Sequence, residues 1–164
     1  MGLRHFNTSP ADEVSATLRA CCDVPAWVDT VRDGRPYGDL ESLLEVADVA
    51  ARGLTRADVD RALGAHPRIG ERASGGGTEA GWSRQEQSGV ADDSGTQSAL
   101  VAGNRAYEER FGRVFLICAT GLSGEEILAS LRARLGNDDD TEAAVVADEL
   151  RKIALLRLRK VVEV

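Results

Sequence analysis

The stretch whose reading decides the fold is Leu54–Gly77, LTRADVDRALGAHPRIGERASGGG. Thr55 and Asp58 give a helix start signal of the Thr-x-x-Asp kind, and Gly64 gives the stop. The residues after Gly64 do not continue that helix. The residue before a proline is driven out of the helical region, so His66-Pro67 makes an extended and stiffened exit. The run Gly75–Gly77 then reads as a flexible loop of the kind that connects or covers a site. Divided differently, into two helices across a short turn, the same residues would form a helix-turn-helix and make this a DNA-binding module. The proline at the head of the supposed recognition helix opposes that division, as does the glycine run where that helix should continue. The chain's charge opposes it too. With 20 Lys and Arg against 27 Asp and Glu the net charge is −7, and the pI is about 4.9, which repels nucleic acid unless a local basic patch overrides it.

Outward from this stretch, helical signals recur and strand signals are weak. Ser9 and Pro10 read as N-cap and first helical position of a helix with Val14, Leu18 and Cys21 or Cys22 on one face. Pro25–Tyr37 reads as a short helix stopped by Gly34, with a turn at Arg35-Pro36. Asp39–Gly53 places Leu40, Leu43, Leu44 and Ala47 at helical spacing and stops at Gly53. Trp82–Val90 predicts a helix starting at Ser83. The next predicted helix sets Leu100, Ala106, Tyr107 and Phe111 in an apolar pattern ended by Gly112. The apolar run Arg113–Gly121 fits a buried strand or a buried loop equally. Ser123 and Glu126 open a helix that ends at Gly136, and a long C-terminal helix offers Val145, Leu150, Ile153 and Leu156 as inward residues. The expectation is an all-α fold: one compact domain over residues 1–164 with about seven to eight helices, residues 1–5 being flexible.

The chain of 164 residues is 43% hydrophobic and 29% charged, the composition of a globular protein with a real core. No apolar run reaches membrane-spanning length, and the N-terminus lacks the apolar stretch of a signal peptide. Three cysteines, Cys21, Cys22 and Cys118, make no metal-ligand spacing and read as reduced, packed thiols of a cytoplasmic protein.

Few residues offer chemistry. His66, one of only two histidines, has a backbone fixed by Pro67 and an unperturbed pKa of about 6.5 that suits a general acid or base. A surface loop histidine is the alternative. Glu86 sits in the pattern Ser83-x-x-Glu86, which by itself favours a capping box. A helix start is also an anion site, so Ser83 and nearby amides suit a substrate oxygen as well. Arg157 falls four residues after Ile153, among leucines, and a buried guanidinium there needs a carboxylate or an anionic ligand. Arg159 and Lys160 read as a solvated face. His5 is assigned no role, and Trp27 and Trp82 read as core or loop anchors. No metal-binding histidine pair, phosphate-binding loop or nucleophile elbow is present.

Taken together these pieces carry a resemblance. Phe6-Asn7, Cys21-Cys22 before Trp27, Arg35-Pro36-Tyr37 and AHPRIGE come first; SRQEQSG, NRAYEERFG, FLICATG, EEILASLRARLGN and a final E-L-x-x-I-x-x-x-R-L come after them in that order. The chain resembles the OHCU decarboxylase family, whose substrate is 2-oxo-4-hydroxy-4-carboxy-5-ureidoimidazoline. The likeness runs from about Phe6 to Leu158. It implies an all-helical fold, a homodimer, and a decarboxylase that uses no metal or organic cofactor and yields (S)-allantoin. It assigns catalysis to His66 and Glu86. Substrate holding falls to Pro67, Ser83, Gln87, the backbone of Phe115, Leu116 and Ile117, and Arg157. Some relatives carry FGFPF where this chain has FGRVF, which sets Arg113 beside the site.

The chemistry implied by the resemblance suits that residue set. The carboxylate lies next to a ring C=N that can absorb the electrons left by carbon dioxide, so the sink is built into the substrate. The protein has to orient the carboxylate, stabilise developing charge and protonate one face. His66 and Glu86 would be the acid–base pair, either of them fitting the final proton delivery. An inactive helical interaction module remains the rival among non-enzymes, and the intact set of His66, Glu86 and Arg157 argues against it.

Overall fold

The computed structural model describes residues 1–69, 78–89 and 94–163, the side chains of residues 78, 79 and 94 excepted. The Gly75–Gly77 loop expected from sequence lies outside the described residues. Among the described residues there are nine helices and no strand, and the chain is all-α as its sequence predicts. Eight of the nine are substantial, from the eight residues of α5 to the twenty-four of α9. Packing divides the chain into two units, Met1–Ala62 with Leu150–Val164, and Leu63–Glu149.

The first unit contains α1 (Leu3–Thr8), α2 (Ala11–Cys21), α3 (Pro25–Asp33), α4 (Leu40–Arg52), nearly all of α5 (Arg56–Leu63) and the later turns of α9 (Asp139–Val162). Of residues 1–5, expected to be flexible, Leu3–His5 are part of α1. Phe6 is fully buried, and the turn after α3 grips the residues around it. The Asn7 side chain donates to the Tyr37 carbonyl and accepts from the Tyr37 amide, both at 2.9 Å. Arg35 Nη1 donates to the carbonyls of Phe6 and Ser9 at 3.0 and 2.8 Å. These bonds, with the burial of Phe6, offset the ordering entropy that leaves most termini loose.

The first helix also displaces the cap predicted for the second. Ser9 closes α1, its amide donating to His5 O at 2.8 Å, and Pro10 takes the N-cap of α2. Val14, Leu18, Val28, Val31, Leu43 and Ala47 are buried here, as is Trp27, whose indole N–H donates to Ala47 O at 3.0 Å. Gly34 and Gly53 end α3 and α4 where the sequence puts the stops. At the start of α5, the Asp58 amide donates to Thr55 Oγ1 and the Thr55 amide to Asp58 Oδ2, the reciprocal pair expected there.

The second unit contains α6 (Thr78–Glu86), α7 (Ser94–Phe111), α8 (Gly124–Arg134) and the opening turns of α9. Leu100, Tyr107, Phe115, Ile117, Ile127 and Leu131 form its core, with Ile69 packed among them. Gly103 lets α7 and α8 approach closely, since a Cβ there would collide with the Leu131 side chain. Ala106, expected inward, is exposed, and the buried position on that turn is Asn104. Gly112 ends α7 with a φ of 69°, a conformation suited to glycine. The run after it is neither helix nor strand: Phe115–Ile117 is buried irregular chain.

In α9 the inward positions differ from those expected at two places. Val146 and Leu158 are buried, whereas Val145 and Leu156 are half-buried. Among the described residues no helix is long and apolar enough to cross a membrane.

Candidate active site

His66 leaves α5 on a chain segment that is held at several points. Its amide donates to Leu63 O at 3.0 Å, and Pro67 fixes the next φ. Arg68 forms a two-point pair with Glu108 of α7, Nε with Oε1 and Nη2 with Oε2, the latter at 3.3 Å. Ile69 is buried, and its carbonyl accepts from Asn104 Nδ2 at 2.9 Å. His66 and Pro67 themselves are half-buried. The segment stays irregular through Ile69, where the DNA-binding alternative requires a recognition helix to begin.

The local pattern around Glu86 misleads. Helix α6 starts at Thr78, not Ser83, so Ser83 is mid-helix and accepts from the Gln87 amide through its carbonyl at 3.2 Å. No capping box exists at Ser83/Glu86, and the amides around Ser83 belong to the helix interior rather than to an anion-binding start. The physical reason is that five residues upstream, including Gly81, join the helix despite their loop-like composition.

What the helix does instead is align the three predicted residues. Ser83, Glu86 and Gln87 are spaced i, i+3, i+4 and share a face. Ser83 and Glu86 are buried and Gln87 half-buried, while Arg84 and Gln85 are exposed. A helix that turns serine, glutamate and glutamine inward and arginine outward reverses the ordinary pattern, and each buried polar group needs a partner.

Phe115, Leu116 and Ile117 are all buried. The Leu116 carbonyl accepts from Arg134 Nη1 at 2.7 Å, and the Arg134 guanidinium lies over the Phe115 ring, 4.4 Å from its centroid. Arg134 in turn holds Glu142 through Nε and Nη2 at 2.8 and 2.6 Å. Tyr107 donates its hydroxyl to the same carboxylate oxygen at 2.6 Å, and Asn137 donates to the other at 3.1 Å. Arg113 is turned toward the start of α9, 3.7 Å from Asp139.

In the first unit, Arg157 is fully buried and its Nη1 donates to the Ala20 carbonyl at 3.0 Å. Arg159 is exposed and pairs with Glu163 at 3.0 Å. His66, Pro67, Ser83, Glu86, Gln87 and Phe115–Ile117 thus belong to one unit and Arg157 to the other. Sequence reasoning missed Asn104, Glu108 and Arg134, which hold the His66 segment and the Leu116 carbonyl. The available signal was Asn104 itself, a polar residue in line with Leu100, Tyr107 and Phe111 on the inward face of α7. Among the described residues no group of three His, Cys, Asp or Glu side chains could hold a metal ion.

Comparison with known proteins identifies the family of this chain. The OHCU decarboxylase family matches residues 7–159. A 2-oxo-4-hydroxy-4-carboxy-5-ureidoimidazoline decarboxylase of Amia calva is 29% identical over 167 residues, covering 99% of this chain and 95% of that one. One of Haloferax volcanii is 31% identical over 136 residues, covering 80% of this chain and 79% of its own. In fold, the chain is similar to a crystal structure of OHCU decarboxylase in the presence of (S)-allantoin. The TM-score is 0.79 at 24% identity, over 95% of this chain and 100% of that one. The extent of the family match and the identity to curated relatives place this chain in the OHCU decarboxylase family.

Proposed function

We propose that this protein decarboxylates 2-oxo-4-hydroxy-4-carboxy-5-ureidoimidazoline to (S)-allantoin and carbon dioxide, a step of uric acid degradation. The observation that carries the reading is the family match, which runs through the HPRI segment, the inward polar face of α6 and the buried Arg157. The bond from the ring carbon to the carboxylate breaks and its electron pair is drawn toward the adjacent C=N. The ring nitrogen that receives this pair takes up a proton, the hydroxyl on the same carbon loses its proton as a carbonyl forms, and a further proton is added at the ureido-bearing neighbour.

Removing the hydroxyl proton and protonating the neighbouring carbon call for two groups, and His66 and Glu86 fill those roles. Ser83, Gln87, Pro67 and the backbone of Phe115–Ile117 fix the ring and its ureido arm. With Ser83 in mid-helix, its hydroxyl takes this task in place of helix-start amides. Arg157, buried and therefore poorly screened, attracts the substrate carboxylate. We read the chain as acting as one domain in a homodimer, in a reducing cytoplasm that suits its three thiols.

The test generates the substrate in situ from urate and follows allantoin by circular dichroism, because spontaneous decay is racemic. Wild type gives a fast, single-handed signal that His66→Ala abolishes and Glu86→Gln strongly reduces. Arg157→Lys slows turnover while Arg159→Lys does not. A slow racemic course with wild-type protein would sink the reading.

A further inference from the structure

We propose that Asn104 and Glu108, one turn apart on α7, are positioning residues that set the His66 imidazole for proton transfer; the inference rests on the catalytic reading of His66. The four residues His66–Ile69 are bound at both ends. One end is the His66 amide on the Leu63 carbonyl. At the other, the Ile69 carbonyl sits on Asn104 Nδ2 and the Ile69 side chain lies in the core beside Leu100 and Tyr107. Between them Pro67 removes one backbone freedom and the Glu108 carboxylate holds Arg68. The backbone that carries the imidazole is therefore held from α7. A displacement of about 1 Å in a reacting group is enough to cost about a hundredfold in rate.

Stability does not account for Asn104. Its side chain is only 5% exposed, and its Oδ1 has no hydrogen-bond partner among the described residues. A buried acceptor left without a partner is destabilising. Leucine at this position would strand the Ile69 carbonyl but would remove the stranded Oδ1. One unpartnered acceptor replaces another, and the fold should change little in stability while the segment loses its tether. That separates positioning from scaffolding.

The experiment measures kcat, KM, product handedness and melting temperature for Asn104→Leu, with His66→Ala alongside. We expect kcat to fall about tenfold to a hundredfold with KM within about twofold, since the interaction acts on proton transfer and not on binding. The melting temperature should stay within about 4 °C. Reversing the exposed pair supplies the second arm. Arg68→Glu and Glu108→Arg each lower kcat, and the double variant recovers most of it because the carboxylate and guanidinium meet again. If His66→Ala is inactive while Asn104→Leu turns over at the wild-type rate, the inference fails and the catalytic reading stands. A kcat loss that merely tracks lost stability, or a double variant no better than its parents, would also overturn it. Full activity in His66→Ala removes both.

Discussion

The Arg134 guanidinium and the Glu142 carboxylate meet at 2.6 Å with both side chains buried, between the end of α8 and the first turns of α9. The pair is fully bonded, since Arg134 also holds the Leu116 carbonyl and Glu142 also accepts from Tyr107 and Asn137. Buried pairs of this kind add little stability over an apolar pair of equal volume, yet losing one partner strands the other charge. Glu142→Ala should therefore destabilise the protein by about 3–5 kcal/mol in urea unfolding. A loss under about 1 kcal/mol would mean that water screens the pair as it does a surface one.

The same carboxylate should shape the acid limb of the stability curve. Burial alone would raise the Glu142 pKa, but the hydrogen bonds from Arg134, Tyr107 and Asn137 outweigh it and hold it below the ordinary 4.5. A carboxyl depressed in the folded state contributes stability that is complete above its unfolded value. That contribution drains away as pH falls through the folded one. The difference in unfolding free energy between wild type and Glu142→Gln should be constant at neutral pH and shrink below about pH 4.5. Asp33, Asp39, Asp48 and Asp138 are depressed as well, by hydrogen bonds from Arg32, Ser42, Arg52 and Thr141 respectively. Only the difference between the two proteins isolates Glu142. A difference that stays flat to about pH 2 contradicts the assignment.

Thiol reactivity gives an independent reading of burial in the first unit. Cys22 is 2% exposed, and burial, reinforced by Asp23, pushes its thiol up to about 12. The thiolate is the reactive form. Cys21 is also buried, whereas Cys118 is half-buried. Titration of the native protein with a chromogenic disulfide should label Cys118 first, with Cys21 and Cys22 reacting only on unfolding. Rapid labelling of Cys22, identified by peptide mass, would show that α2 opens more readily than its packing implies.

Much of the fold was legible because helix ends carry chemistry of their own. Thr55/Asp58, Ser123/Glu126 and the stops at Gly34, Gly53 and Gly112 all stand where the sequence puts them. The failures are of two kinds. In α9 the apolar residues Val145-Val146 and Leu155, Leu156 and Leu158 leave the inward face open to a shift of one or two residues, and only packing fixes Val146 and Leu158 as inward. In α6 the helix begins five residues before its local start signal, and in α1 the missing information is non-local. Asn7 and Arg35 lie far apart in sequence, and nothing near Leu3 announces that Tyr37 will hold it. For the site, a histidine and a glutamate are visible as letters. The pairing of Asn104 with the Ile69 carbonyl, 35 positions apart, is a consequence of helix packing and leaves only an out-of-place asparagine as its trace.

The two Ser-x-x-Glu patterns put that lesson to a direct test. At Ser123/Glu126 both reciprocal bonds form, the Glu126 amide donating to Ser123 Oγ at 3.1 Å and the Ser123 amide to Glu126 Oε1 at 3.3 Å. At Ser83/Glu86 the same letters lie inside a helix that began five residues earlier. Ser123→Ala should lose about 1 kcal/mol of stability, the usual cost of an N-cap, and leave turnover as it was. Ser83→Ala removes no cap, so its effect should fall on KM for the substrate and not on the melting temperature. Should Ser83→Ala instead melt early with unchanged kinetics, the buried hydroxyl serves the fold alone. The inward polar face of α6 would then lose one of its three proposed substrate contacts.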